Sequence, residues 1–133
     1  MADTDTLLKT VENEVIALHV VLQAWFRGEG TDDTGSVLKH FAKNYTMIGA
    51  AGRVLPLEAF AKALPTLRGS RPGLVMTIEN VMLRHVFPGG VLATYREIQT
   101  QGETRTERWS SVTFQREPTG TLLWTFLHET FCD

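Results

Sequence analysis

The sequence predicts an α+β domain, with helices in the first half of the chain and a long antiparallel sheet in the second half. Up to Leu64 the apolar residues recur at helical spacing in three segments. From Leu74 onward the chain is rich in β-branched and apolar residues, and turn sequences recur at regular intervals. The 133 residues, 43% hydrophobic and 21% charged, fit a single domain over residues 1–133 that buries its own core.

A long first helix is predicted because apolar residues alternate at spacings of three and four. Thr4 or Asp5 can cap its start, and Gly28 and Gly30 end it. Its apolar face consists of Leu8, Val11, Val15, Leu18, Leu22 and Trp25.

Two shorter helices and a strand complete the first half. The sequence TDDTGS offers several caps for a short helix that carries Val37, Leu38 and Phe41. The segment YTMIGA, residues 45–50, has the composition of a strand. A third helix is expected to begin at Pro56 and to end at Pro65, since proline is tolerated only in the first turn.

Four strands are predicted in the second half. They are separated by the turns PGG, QGET and EPTG, which indicates an antiparallel meander. The strands are LVMTIENVMLRHVF, VLATYREIQT, RTERWSSVTFQR and TLLWTFLHETF.

Strand alternation sorts the side chains of the last three strands into two predicted faces. Both sets mix apolar and polar residues, so both faces are expected to be covered. The first face carries Tyr95, Glu97, Trp109, Ser111, Thr113, Leu127, Glu129 and Phe131. The second carries Arg96, Ile98, Arg108, Ser110, Val112, Phe114, Trp124, Phe126, His128 and Thr130.

This order of elements resembles the nuclear transport factor 2-like superfamily, and within it the SnoaL-like and ketosteroid-isomerase-like branch. The segments that carry the resemblance are HFAKNYTMIGAAGRVLPLEAF, SSVTFQREPTG and WTFLHET. The resemblance implies a cystatin-like cone, in which three N-terminal helices pack on a strongly curved antiparallel sheet and enclose a pocket. It does not fix the activity, because that superfamily includes isomerases, cyclases, dehydratases, hydrolases and non-catalytic assembly domains.

The resemblance also places a pocket between the sheet's concave face and the first helix, and a homodimer contact on the convex face. Kinase-association relatives carry arginines at the positions aligned with Glu97, Ser111 and Phe131, so an arginine-lined pocket is not expected here. Isomerases and cyclases of the superfamily use an aspartate near the first strand. The matching stretch, residues 44–50, has Asn44 and no acid.

Glu129 is the tentative catalytic residue. A carboxylate between apolar neighbours in a dry pocket has a raised pKa and can act as a general base. The alternatives are a wet position at the strand end or an ion pair with an arginine. The residues expected to line the ligand pocket are Trp25, Tyr45, Tyr95, Glu97, Trp109, Ser111, Leu127 and Phe131. The aromatic ones fit an ordinary core equally well.

Two functions remain open. The first is a small-molecule-binding protein with an apolar pocket between sheet and first helix. The second is an acid–base enzyme of isomerase, cyclase or hydrolase type on an apolar or polyketide-like substrate, with Glu129 as base. His19 lies one residue from the main apolar face of the first helix, so it either points into the cavity or lies on the surface.

Several classes of function are disfavoured. The net charge is −2 without a basic cluster, which argues against nucleic acid binding. The four histidines and one cysteine lack metal-ligand spacing, so no metal and no cofactor are expected. Without a signal-like or membrane-spanning segment, and with Cys132 alone, we expect a cytoplasmic protein that does not engage membranes.

Overall fold

The computed structural model describes residues 2–132 and confirms the α+β class. Its helices are α1 (Ala2–Arg27), α2 (Gly35–Leu38) and α3 (Leu57–Leu67). Its strands are β1 (Phe41–Ile48), β2 (Val54–Pro56), β3 (Val75–Phe87), β4 (Gly90–Gln101), β5 (Thr104–Arg116) and β6 (Leu122–Phe131). Among the described residues, no helix combines the length and apolar character needed to cross a bilayer.

The helices follow the predicted pattern with three local differences. The first helix begins at Ala2, so Thr4 and Asp5 lie within its first turn and do not cap its start. The second helix ends at Leu38, and Phe41 instead begins β1. Pro65 lies inside α3, which continues to Leu67 and ends where the Arg68 N–H donates to the Leu64 carbonyl at 3.1 Å. Proline removes only one backbone donor, and so near a helix end a further half turn can still form after it.

The antiparallel meander β3–β4–β5–β6 forms as predicted, and the sheet continues beyond it. The strand order is β2–β1–β6–β5–β4–β3. β1 pairs in parallel with β6, and the unpredicted β2 pairs antiparallel with β1. The parallel pairing joins the two halves of the chain, since the first strand lies against the last.

The predicted grouping of side chains on the two faces is wrong for β5. Glu97 lies opposite Arg108 and Tyr95 opposite Ser110, and so even-numbered residues of β5 share the face of odd-numbered residues of β4. Val112 and Phe114, assigned to the second face, are therefore buried inside with Tyr95. Alternation within one strand does not reveal how it aligns with the next when both faces carry apolar residues.

A β-bulge changes the face of Trp124. Phe126 pairs with Thr113 and Trp124 with Phe114, although Thr113 and Phe114 are adjacent, so Thr125 is the extra residue. The Thr125 hydroxyl donates to the Thr113 carbonyl at 2.9 Å, which holds the bulge. Trp124 and Leu127 consequently both point inward.

The core lies between α1 and the concave face of the sheet. On the helix, Val11, Val15 and Leu18 are at most 2% exposed, and on the sheet Tyr95 and Trp124 are fully buried. Burial of each aliphatic side chain of this kind contributes roughly 1.5–3 kcal/mol. This packing fixes α1 over the sheet and positions the side chains of the site described next.

Candidate functional site

A cavity of about 250 Å³ remains between α1, β1 and the concave face of the sheet. Most of its lining is apolar: Leu18, Leu22, Phe26, Phe41, Met47, Phe60, Met76, Trp124 and Leu127. Its polar lining is confined to seven side chains: His19, Tyr45, Arg71, Glu97, Gln99, Arg108 and Glu129. Buried ionisable groups are costly unless they are paired, so their partners decide what the cavity can do.

His19 and Glu97 form a buried pair. His19 Nε2 lies 3.0 Å from Glu97 Oε1, and His19 Nδ1 lies 2.7 Å from the Val15 carbonyl. Both ring nitrogens face acceptors, and only the doubly protonated imidazolium can donate from both. Burial disfavours that charge, but the Glu97 carboxylate outweighs it and raises the pKa of His19. Burial likewise opposes ionisation of Glu97, yet His19 and Gln99 hold the pKa of Glu97 below its ordinary value.

A polar chain runs from Glu97 toward the cavity's edge. The Gln99 amide donates to Glu97 Oε2 at 2.6 Å, and Arg71 Nη1 donates to Gln99 Oε1 at 2.7 Å. Arg71 Nε also donates to Gln101 Oε1 at 3.1 Å. Arg71 follows α3, and its backbone N–H donates to the Phe26 carbonyl on α1. Arg71 therefore brings a cation to the cavity without a carboxylate as its hydrogen-bond partner.

Glu129 and Arg108 face each other on adjacent strands. Arg108 Nη1 lies 3.4 Å from Glu129 Oε1, and their side chains are only 14% and 8% exposed. Burial first, and then the negative charge of Glu97, raise the pKa of Glu129 to about 7, although Arg108 and His19 oppose the shift. Glu129 is thus a buried carboxyl that changes its protonation near neutrality.

Tyr45 closes one wall of the cavity. Its ring centroid lies 4.4 Å from that of Phe41, and the residue is 3% exposed. Burial raises the pKa of Tyr45 well above its ordinary value, so its hydroxyl stays neutral and can act as donor or acceptor to a ligand.

Four of the nine predicted site residues line this cavity: Tyr45, Glu97, Leu127 and Glu129. Trp25 and Tyr95 lie in the core outside the lining, where the Trp25 indole N–H donates to the Leu64 carbonyl at 2.8 Å. Phe131 is 46% exposed near the strand end, with the Arg108 guanidinium 5.0 Å from its ring centroid.

Trp109 and Ser111 require a correction, because the β5 register places them on the convex face. Ser111 pairs with Thr94 and His128, and Trp109 pairs with Arg96 and is 44% exposed. The expectation that the pocket lacks an arginine lining came from the positions aligned with Glu97, Ser111 and Phe131, but two arginines reach the cavity from other positions. Arg108 was assigned to the other face and Arg71 was not considered, yet both line the cavity.

The polar residues that sequence reasoning missed are Arg71, Gln99 and Arg108. Gln99 could have been found by continuing the Tyr95–Glu97 alternation by two residues. His19 was placed either in the cavity or on the surface, and it lies in the cavity wall at 5% exposure. Arg71 carries no local signal, since it reaches the site from the segment between α3 and β3.

No set of metal ligands is evident among the described residues of the site. Over residues 2–132, no three side chains of the histidine, cysteine, aspartate or glutamate type are grouped so that they could hold an ion. The carboxylates of the cavity have other partners: Glu97 accepts from His19 and Gln99, and Glu129 faces Arg108.

Comparisons with known proteins give the fold a context. No family model matches the chain, and a search of curated proteins finds no match. Among solved structures, an NTF2-like protein of unknown function from Pseudomonas aeruginosa is 32% identical, with a TM-score of 0.89 over 93% of this chain and 99% of that one.

More distant structures share the fold alone. A putative ketosteroid isomerase from Shewanella frigidimarina is 15% identical, with a TM-score of 0.69 over 91% of this chain and 94% of its own. The CaMKII hub of S. rosetta is 12% identical, with a TM-score of 0.70 over 93% and 95% of the two chains. A Caulobacter vibrioides protein with a cystatin-like fold has a TM-score of 0.70 at 14% identity, over 94% and 89%.

Proposed function

Because this chain belongs to the nuclear transport factor 2-like superfamily, we propose that it binds a small, largely apolar molecule in the cavity between α1 and the sheet. The observation that carries the proposal is a cavity of about 250 Å³ with an apolar wall and a few converging polar side chains. That combination characterises small-ligand sites, and because the volume lies just below the roughly 300–1,000 Å³ usual for such sites, the ligand should be small.

Stability alone gives no reason for this arrangement. A void in a close-packed interior forfeits dispersion contacts, and buried charges cost free energy unless they are paired. The polar floor of the cavity consists of the paired side chains of His19, Glu97, Arg108 and Glu129. In many folds, replacing such buried charged groups by apolar side chains of similar volume leaves the stability unchanged or increases it. A ligand that fills the void and contacts the polar floor would account for both features.

The test is a fragment titration with 3-phenylpropanol, an uncharged probe, followed by amide NMR shifts. Binding should shift resonances of residues around Tyr45, Met47 and Leu127, and a Leu22→Phe substitution should abolish it by filling the cavity. Ile16→Phe is the matched control, since Ile16 lies on the same helix but is 45% exposed and outside the lining. Equal binding by the two variants would refute the proposal, and so would the absence of shifts in the native protein with both this alcohol and 3-phenylpropanoate.

The second candidate function is acid–base catalysis with Glu129 as the base. The specific observation in its favour is a carboxyl only 8% exposed in a largely apolar cavity. This burial raises the pKa of Glu129 to about 7, which suits proton abstraction near neutrality. The test is deuterium exchange at the carbon next to the carbonyl of small aryl ketones in D₂O. Glu129→Gln should reduce the exchange rate by at least about 100-fold, the contribution usual for a general base. Equal rates with and without the protein would exclude the role for those substrates.

A homodimer through the convex face completes the proposal. The sequence pattern predicted this contact from the apolar side chains of the second face, namely Val112, Phe114, Trp124 and Phe126. Val112, Phe114 and Trp124 cannot contribute to it because they are buried inside the chain. With the corrected register, Phe126 remains on the convex face. Trp109 also lies on that face and is 44% exposed. Phe126→Glu should give a monomer or an aggregate by light scattering. An unchanged dimer would contradict the placement of the dimer contact on the convex face.

A further inference from the structure

We propose that the cavity takes a small apolar carboxylic acid, whose carboxylate binds Arg108 while Glu129 takes up a proton from solvent. This inference rests on the proposed function, because it names the ligand class and the proton coupling of the same cavity.

Arg108 has an incomplete set of acceptors. Its two terminal nitrogens make contacts of 3.4 Å, one to Glu129 Oε1 and one to Thr106 Oγ1. Its Nε is buried and has no hydrogen-bond partner. A guanidinium presents five N–H donors and cannot be deprotonated in a protein, so this buried cation remains under-satisfied. A carboxylate, which accepts from arginine through two oxygens, is the ligand group that best meets this need.

The balance of charge around the cavity also favours an anion. His19 and Glu97 neutralise each other at 3.0 Å, and Arg71 donates to the neutral amides of Gln99 and Gln101. Two guanidiniums therefore face the cavity with only Glu129 left to compensate them. The titratable and charged groups around Glu129 are His19 on α1, Tyr45 on β1, Arg71 after α3, Tyr95 and Glu97 on β4, and Arg108 on β5.

Proton uptake follows from the position of Glu129. An ionised Glu129 already occupies one side of the Arg108 guanidinium, and a ligand carboxylate there would bring a second negative charge beside it. Like charges at one site disfavour double ionisation, so one carboxyl takes a proton. Glu129 is the group to do so, since its pKa already lies at about 7. The balanced step joins one ligand anion, one ionised Glu129 and one proton into a complex in which the Glu129 O–H can donate to the ligand.

The rest of the cavity sets the apolar part of the ligand. The aromatic and thioether side chains offer flat and adaptable surfaces, which suit a ring or a branched chain. They are Phe26, Phe41, Met47, Phe60 and Met76.

The experiment compares 3-phenylpropanoate, which is ionised throughout, with uncharged 3-phenylpropanol between pH 6 and pH 8. Calorimetry in buffers of different ionisation enthalpy counts the protons taken up. The carboxylate should bind about tenfold more weakly at pH 8 than at pH 6. With a pKa of about 7, the protonated fraction of Glu129 falls about tenfold between these two pH values. Uptake should approach one proton per ligand at pH 8 and none at pH 6, and alcohol binding should be unchanged.

Three variants separate the parts of the inference. Glu129→Gln should bind the carboxylate equally at pH 6 and pH 8, without proton uptake. Arg108→Gln should lose the preference for carboxylate over alcohol, and Arg84→Gln, which replaces an exposed arginine hydrogen-bonded to Thr94, should keep it. Amide spectra establish that each variant is folded.

The outcomes distinguish this inference from the proposed function. If the alcohol binds in the cavity as tightly as the carboxylate, or if carboxylate binding does not depend on pH, this inference is overturned and the binding function stands. If neither probe shifts the cavity resonances, the proposed function fails, and this inference fails with it.

Discussion

Replacing Glu129 by glutamine should stabilise the protein at alkaline pH. Burial and the neighbouring Glu97 raise the pKa of Glu129 in the folded protein from 4.5 to about 7. Since the folded-state pKa is higher, the folded protein binds the proton more tightly than the unfolded chain does. The resulting contribution to stability is complete below pH 4.5 and is lost as the pH rises through about 7.

The magnitude follows from the size of the pKa difference. Each pH unit corresponds to about 1.4 kcal/mol, so the native protein should lose up to roughly 3 kcal/mol of unfolding free energy between pH 4.5 and pH 8 through this group. Glutamine has nearly the same shape, never ionises, and keeps an oxygen that can accept from Arg108. The free energy of unfolding of the variant should therefore increase relative to that of the native protein as the pH rises. This difference should level off above pH 8.

Urea denaturation at half-unit steps from pH 4.5 to pH 9 measures the difference. Glu103→Gln, at an exposed position in the β4–β5 turn, is the control and should show no such trend. A constant difference between Glu129→Gln and the native protein, or a native protein that grows more stable relative to the variant with rising pH, would refute the assignment of Glu129 as a desolvated carboxyl.

Three further changes test the surroundings of the site. Arg108→Met should raise the pKa of Glu129 by about one pH unit or more, because the opposing cation 3.4 Å away is removed; an unchanged titration by carboxyl NMR would mean that Arg108 does not face it. His19→Leu should destabilise the fold by about 3–5 kcal/mol, because it leaves the buried Glu97 carboxylate with the neutral Gln99 amide but without its counter-charge, and His19→Leu with Glu97→Met should recover most of the loss in urea denaturation. Gly90→Ala should cost about 1–3 kcal/mol or more, since a Cβ there would lie 2.6 Å from the Phe114 carbonyl oxygen; a melting temperature equal to that of the native protein would contradict this close packing.

The elements with strong local signals could be predicted from the sequence. The apolar spacing of three and four residues predicted the first helix, and Gly28 predicted its end. The structure has this helix ending at Arg27. The turns after Phe87, Gln101 and Arg116 gave the meander, because short loops join antiparallel neighbours. The parallel pairing of β1 with β6 joins residues some 80 positions apart, and no local pattern encodes it.

The site was harder to predict because it depends on register. A shift of one residue between β4 and β5 exchanged Arg108 with Trp109, and the bulge at Thr125 moved Trp124 to the inner face. Register is weakly specified by sequence when both faces carry apolar side chains. Glu129 kept its predicted face, since the residues of β6 after the bulge follow regular alternation.

The central claim is that a desolvated carboxyl in a ligand cavity changes protonation near neutrality. Titration of the ¹³C-labelled glutamate carboxyls by NMR, with Glu129 assigned from its absence in Glu129→Gln, tests this claim most directly. We predict a midpoint near pH 7 for Glu129, which moves upward when 3-phenylpropanoate is added. A midpoint near 4.3, the ordinary glutamate value, that does not move with the ligand would contradict it.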